Sequence, residues 1–286
     1  MEKKVIHYGF VTVALFAAAC LIPASITAQE RYAGLRSGLE GSFDRTLTVS
    51  GTVDLDVSTG SGSIDIKRGA GNRVEIHGKI RAGESWFRSS RDAEDTVRRL
   101  EANPPIEQSG STIRVGRTTD RDWMRNVSIS YQIVLPSPSN VRAHSGSGSQ
   151  SLDGISGRVE ANTGSGSITL RDINGDLDAS TGSGTIRATG IRGGLRMHTG
   201  SGGIQVQGEQ MAQWELGTGS GRIDIDLPPN AGFEFTGHTG SGGIDVGYPM
   251  TVQGRIAGNR HDVAGKVGGG GYRLVARTGS GHIRIQ

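Results

Sequence analysis

The stretch Val159–Ala188 reads VEANTGSGSITLRDINGDLDASTGSGTIRA, and its two halves repeat one another. Thr163-Gly-Ser-Gly in the first half matches Thr181-Gly-Ser-Gly in the second, 18 residues on. Apolar residues occupy every second position on either side: Val159 and Ala161 before the first motif, Ile168 and Leu170 after it, then Leu177, Ala179, Ile186 and Ala188. That alternation is the signature of strands with one buried face. One repeat therefore holds two short strands joined by a Gly-Ser-Gly corner. A second corner, Asp172-Ile173-Asn174-Gly175, is an Asn-Gly turn with an apolar residue tucked inside.

The same tetrapeptide starts at Thr59, Thr163, Thr181, Thr199, Thr218, Thr239 and Thr278, with a Ser-Gly-Ser-Gly variant at Ser145. From Ser145 onward the spacings are 18, 18, 18, 19, 21 and 39 residues. Five residues after each motif start stand Ile64, Gln150, Ile168, Ile186, Ile204, Ile223, Ile244 and Ile283. Four residues before it stand Leu55, Val141, Val159, Leu177, Leu195, Trp214, Phe235 and Leu274. Regular repetition of this kind marks a repeat architecture. A single repeat cannot bury its own apolar face, whereas stacked coils share one continuous core, with strands about 4.8 Å apart. The expected fold is all-β: a parallel, single-stranded β-helix, or solenoid, of ~18-residue coils with one short helical insert. Its corner glycines are expected to supply positive φ, and its Thr and Ser residues to form hydroxyl ladders at the corner.

Two regions break the period. Residues 81–126 contain a predicted helix, Arg91–Leu100, ended by Asn103-Pro104-Pro105. With Trp86, Phe87, Trp123 and Met124 this insert reads as a cover over the core. Residues 247–272, with Gly268–Gly271, read as a loop insert before the last coil. Val127–Leu135, ending at Pro136, reads as the strand that enters the array. The expected domain runs over 45–286, after a linker at 29–44.

The first 28 residues read as a secretory signal peptide: Lys3 and Lys4, an apolar run from Val5 to Ala19, Pro23, and small residues up to Ala28. The run is shorter than the roughly 20 residues of a membrane span, and no later segment of the sequence is apolar enough to cross. Cys20 is the chain's one cysteine. Ala17, not Leu, stands three places before it, which argues against a lipid anchor, and cleavage after Ala28 would leave the mature chain without thiol or disulfide chemistry. The expected location is periplasmic, outer-membrane-associated or extracellular. The net charge of +3 and pI of 9.2 come from basic residues scattered among acidic ones, and with export they argue against a nucleic-acid partner. Glycine, 47 of 286 residues against a usual share of about 7%, follows no every-third-residue period, so collagen is excluded.

Val127-Ser-Ile-Ser-Tyr-Gln-Ile-Val-Leu-Pro136, followed by Asn140-Val-Arg-Ala-His-Ser-Gly-Ser-Gly148 and the repeats, resembles a family of bacterial adhesin-like domains of unknown function. In that family a strand ending in Val-Pro or Leu-Pro precedes repeats of the form Thr-Gly-Ser-Gly-x-Ile. The resemblance spans roughly residues 45–286. It implies the fold and an envelope or surface protein, and it carries over no binding residues.

The residues were tested against four kinds of chemistry. His144, His198 and His238 share a column, but three coils separate the first two and the expected order leaves about 10 Å between the last two, so one ion cannot join them. Ile64, Ile168 and Ile223 stand where calcium-binding β-rolls carry Asp. Each glycine corner leads into a strand, not into the helix a phosphate loop requires. Parallel β-helices can be polysaccharide-acting enzymes, and Asp224 with Asp245, expected one coil apart, gives a carboxylate spacing of the right order for glycoside hydrolysis. No catalytic, cofactor or metal site is expected. The remaining reading is a binding face, with Arg142, Arg187 and Arg196 favouring anionic groups, or a structural envelope spacer. A glycan or an envelope surface component is the expected partner, and self-association through the solenoid ends is a further expectation.

Overall fold

In the computed structural model, residues 39–83, 90–117, 127–251 and 261–286 are described. The signal-peptide segment, Cys20, and the aromatic residues at 86, 87 and 123 lie outside them, as does Met124. The chain order begins with β1 (Leu39–Thr48), β2 (Val53–Thr59), β3 (Ile64–Arg68) and β4 (Arg73–Ala82), so the first strand starts within the stretch read as linker. Helix α1 (Ser90–Ala102), β5 (Ile106–Ser109) and β6 (Thr112–Val115) make up the described insert, and β7 (Val127–Leu135) matches the expected entry strand. The regular repeats give β8 (Ser139–Ser145), β9 (Gln150–Asp153), β10 (Val159–Thr163), β11 (Ile168–Arg171) and β12 (Leu177–Thr181). The longer β13 (Ile186–Thr199) and β14 (Ile204–Thr218) each run through a bend from one coil into the next. Last come β15 (Ile223–Asp226), β16 (Phe233–Ser241), β17 (Ile244–Val246), β18 (Met250–Thr251), β19 (Asp262–Val267), β20 (Tyr272–Ser280) and β21 (Ile283–Ile285).

Strands entering the Thr corner form one stack and strands leaving it form a second. In the first stack β2, β8, β10, β12 and the later halves of β13 and β14 pair in parallel and in register. In the second, β3, β9, β11, the first halves of β13 and β14, and then β15 do the same. Like residues therefore lie on like, as the period requires: Ile168 on Ile186 on Ile204 on Ile223, all fully buried. Each such side chain contributes roughly 1.5–3 kcal/mol. Gln150 interrupts the isoleucine column and is also buried; its Nε2 donates to Ala143 O (3.2 Å) and Asn162 O (2.6 Å). The Asn-Gly corner stacks too, with Ile155, Ile173 and Ile191 buried and Ser156, Asn174 and Arg192 bridged coil to coil.

Two expectations need correction. The sheet is mixed, because antiparallel pairings close both ends where a purely parallel single-stranded β-helix was expected. At the N-terminal end β7 pairs parallel with β3 but antiparallel with β4, and β4 antiparallel with β1. At the C-terminal end β19 runs antiparallel to β16, and β18 to β19, so the loop expected at 247–272 carries strands. The second correction concerns order. The last coil in sequence, β20 and β21, lies between the coil of β14 and β15 and that of β16 and β17. Likewise β6 and β7 lie outside the coil of β2 and β3. The chain enters the interleaved C-terminal coil through Gly268–Gly271, which crosses the start of β16 so closely that a Cβ on Gly271 would meet Gly232 O at 2.3 Å.

The N-terminal edge is covered. Ala93, Val97 and Leu100 of α1 are buried, and β1 lies beneath them. A Cβ on Gly41 would stand 2.4 Å from Val97, so the helix rests directly on the strand backbone. Ser42 N donates to Glu101 Oε1 (3.0 Å), and Arg45 Nη2 donates to the C-terminal helix carbonyls of Glu101 and Ala102. An otherwise unpaired edge amide is thereby occupied. Below it, Phe43, Gly78 and Tyr131 lie in one row across three strands, and the Phe43 ring fills the space that Gly78 leaves. Burial pushes the Tyr131 phenol pKa up.

Candidate functional site

The repeat threonines point inward. Thr163, Thr181, Thr199, Thr218, Thr239 and Thr278 are buried, and Thr59, in the first coil, is half-buried. Each hydroxyl donates across the stack to a carbonyl of the neighbouring coil: Thr163 to Gly148 O (3.0 Å), Thr181 to Gly166 O (2.8 Å), Thr199 to Gly184 O (3.0 Å), Thr218 to Gly202 O (2.9 Å). The series continues in spatial order with Thr278 to Gly221 O (3.1 Å) and Thr239 to Gly281 O (3.0 Å), while Thr59 reaches Ile129 O (2.7 Å). The same oxygen accepts from the amide three residues on, as Thr181 does from Gly184 N (3.1 Å). These hydroxyls bond carbonyls rather than forming a Thr-to-Thr ladder. The corner serines Ser61, Ser147, Ser165, Ser183, Ser201, Ser220, Ser241 and Ser280 are the exposed set.

The corner glycines have a different cause from the one expected. Of the Thr-Gly-Ser-Gly glycines among the described residues, only Gly242 has a φ in the left-handed region (141°). The others are required by close approach: a Cβ on Gly164 would lie 2.4 Å from Gly146 O, and one on Gly166 2.1 Å from Gly148 O. Positive φ governs the Asn-Gly corner instead, at Gly157, Gly175 and Gly193 (φ 148°, 147° and 141°). There Asp172 adopts φ 50° in the column of Gly154 and Gly190.

Two flat outer faces result, and the three arginines expected to form a ligand face are divided between them. Arg142 and Arg196 share a column of the first stack, which reads Asp56, Arg142, Glu160, Asp178, Arg196, Glu215, Val275, Thr236 in spatial order. Arg187 faces outward from the second stack, and its Nε donates to Gln205 Oε1 (2.9 Å). The first-stack column is laced with ion pairs: Arg142 with Glu160 (3.8 Å), Arg196 with Asp178 and Glu215 (3.7 Å each), Arg277 with Glu215 (3.5 Å) and Arg117 with Asp56 (2.8 Å). Exposed pairs of this kind contribute about 0–1 kcal/mol each, so they orient the arginines without consuming all of their donors.

The carboxylates weighed for hydrolysis are not neighbours. In the second-stack column Arg284 lies between Asp224 and Asp245, in register with both. Asp245 also accepts from His282 Nε2 (2.8 Å), and that hydrogen bond holds its carboxyl below the usual range. Neither acid is raised toward neutrality, as a general acid would need to be. The histidine column reads Ser58, His144, Asn162, Ser180, His198, Gly217, Arg277, His238. His198 and His238 are therefore three strands apart, about 14 Å rather than 10, because the interleaved coil separates them. His238 Nδ1 bonds Asp262 Oδ1 (2.6 Å).

That column contains the one feature of the face that the repeat did not announce. Gly217 has no side chain where its neighbours carry His198 and Arg277, and a depression of about 540 Å³ opens there. Its sequence signal was the single glycine in an otherwise polar column, in the repeat lengthened to 19 residues.

Stacked coils, inward threonine staples and antiparallel end caps define a β-solenoid-like scaffold with a mixed sheet. The chain belongs to the Toastrack DUF4097 family, whose model matches residues 105–286. Among solved structures it is similar to a "putative cell adhesion protein" from Clostridium sporogenes (14% identity, 86% of this chain and 99% of that chain, TM-score 0.36). It is also similar to a "putative adhesin" from Bacteroides fragilis (12% identity, 86% and 97%, TM-score 0.41). A third similarity is to a "putative lipid binding protein" from Parabacteroides distasonis (14% identity, 87% and 98%, TM-score 0.37). None of the curated proteins matches the chain. No helix among the described residues is long and apolar enough to cross a membrane.

Proposed function

We propose that the protein is an exported, non-catalytic binding module of the cell envelope or cell surface, adhesin-like in its use of an extended face. The observation that carries this reading is the first-stack outer face. Its charged side chains are held in fixed register by the core beneath and by ion pairs along the column, and one depression interrupts it at Gly217. A rigid face of this kind engages an extended partner through many weak contacts, with little ordering cost on binding. Against a polysaccharide-acting enzyme stands Arg284, which separates the two carboxylates that such chemistry would use. Export is supported by residues 1–28 as a sequence signal.

Surface-protease shaving of intact cells, with this protein followed by immunoblot, tests the reading. Loss of the band places the scaffold outside, where its face meets other surfaces. A band that survives shaving and is released only with the periplasm refutes surface adhesion and leaves an internal envelope role, including that of a spacer between envelope layers.

A further inference from the structure

We infer that the depression at Gly217 is a binding site for an acidic sugar, with the ring on the glycine floor and its carboxylate held by Arg277, Arg196 and His198; this rests on the binding-module reading and names its ligand class. The floor is unusual for a β-face. Beside Gly217 it is lined by Gly200, Gly219, Gly240 and Gly279, the first glycines of four corners that the interleaving of the last coil brings side by side. A surface of backbone and methylene groups without side chains accepts the flat C–H face of a pyranose. The volume of about 540 Å³ lies within the range of roughly 300–1,000 Å³ usual for small-molecule sites.

The rim supplies the charge. Arg196 and Arg277 flank Glu215, at 3.7 and 3.5 Å from its two oxygens. Two guanidiniums carry ten N–H donors in all, so one intervening carboxylate leaves most of them for a ligand, and the local sum stays positive. Arginine's planar fork suits bidentate capture of a carboxylate. His198 is exposed, has no hydrogen-bond or ion-pair partner among the described residues, and leans over the gap: a Cβ on Gly217 would stand 3.0 Å from its Nδ1. His238, opposite, is held by Asp262 and closes the far side. Elsewhere in this column a side chain covers the corresponding place, so the site occurs at one coil of the array.

The test is calorimetric titration of the full mature chain with a galacturonate oligosaccharide, a neutral galactose oligosaccharide and inorganic phosphate. The expected result is binding of the galacturonate oligosaccharide alone. Arg277→Gln and Gly217→Val should each weaken it about tenfold or more, the size of one charged hydrogen-bonding interaction, while Arg142→Gln, three coils away, leaves it unchanged. Gly217→Val is compared only if its urea midpoint matches wild type; Arg277→Gln, an exposed change, carries the test otherwise. Galacturonate binding that none of the variants alters overturns the site but leaves the binding module. Phosphate binding as tight as that of the oligosaccharide overturns the sugar assignment. Absence of galacturonate binding by a protein that still adheres to envelope material overturns the ligand class, and absence of both overturns the module as well.

Discussion

Replacing Thr181 by Val removes one oxygen and almost no volume, and this makes it the sharpest probe of what holds coil to coil. The hydroxyl donates to Gly166 O at 2.8 Å and accepts from Gly184 N at 3.1 Å, in a residue 4% exposed. Valine leaves both backbone groups buried without that partner. An unsatisfied buried group costs about 1–3 kcal/mol, so the pair costs about 2–6 kcal/mol, less roughly 1 kcal/mol returned by the extra buried methyl group. Thr181→Ser keeps both hydrogen bonds and loses a methyl, for about 1 kcal/mol. Ser145 shows that the column accepts serine, since its Oγ accepts from Gly148 N at 2.8 Å and lies 3.3 Å from Gly62 O. Urea unfolding followed by circular dichroism and by Trp214 fluorescence should therefore rank wild type above Ser and Ser well above Val. The two probes must coincide for one midpoint to represent the array. Valine at or above serine would refute the staple and leave the threonine column as a matter of shape alone.

Three further outcomes follow from the same geometry. Gly164→Ala, whose Cβ would lie 2.4 Å from Gly146 O, should cost about 1–3 kcal/mol in urea unfolding. Gly60→Ala, at the same motif position but with nothing within 4 Å, should stay within about 0.5 kcal/mol of wild type. Asp245 should titrate below the usual carboxylate value of 3.8 when followed by carboxyl NMR, and His282→Gln should return it toward that value. Because the folded-state pKa is the lower one, this pair stabilises the fold above about pH 4 and the contribution fades as pH falls through the depressed pKa. Val97→Arg, which pushes α1 off β1, should raise light scattering on mild heating as the β1 edge is uncovered, more than Arg98→Ala on the exposed face does.

The repeat itself was legible because burial and spacing state the same thing twice. The isoleucine column, the tucked Ile173 and the strand Val127–Leu135 all stand where alternation put them, and the helix expected at Arg91–Leu100 runs from Ser90 to Ala102. What alternation cannot express is which coil touches which. The 39-residue gap before Thr278 looks like a long loop and a late coil, yet Leu274, Ala276 and Thr278 fit beside Trp214, Leu216 and Thr218 as well as beside Phe235, Gly237 and Thr239. A coil equally compatible with both neighbours goes between them. The same ambiguity misplaced Asp224 against Asp245 and shortened the His198–His238 distance. The corner glycines were assigned the wrong cause because torsional freedom and close approach select the same residue. The separation of Arg187 from Arg142 and Arg196, by contrast, was open to reading: it follows the repeat threonine where they precede it.

The interleaved last coil changes what the end of the chain means. A chain released from its N-terminus can lay the coils of Ser145, Thr163, Thr181, Thr199 and Thr218 one upon the next, each resting on something already made. The coil of Thr239 has no such support when it emerges; its bed is Thr278, and Thr278 comes nearly last. Assembly must therefore pause with a vacancy in the array and resume from both of its walls at once. Loss of residues 272–286 would remove a middle course rather than trim a tip, leaving Phe233 and Phe235 without one of their two flanking strands. For this chain, completeness of the C-terminus is a condition of the fold and not a detail of its ending.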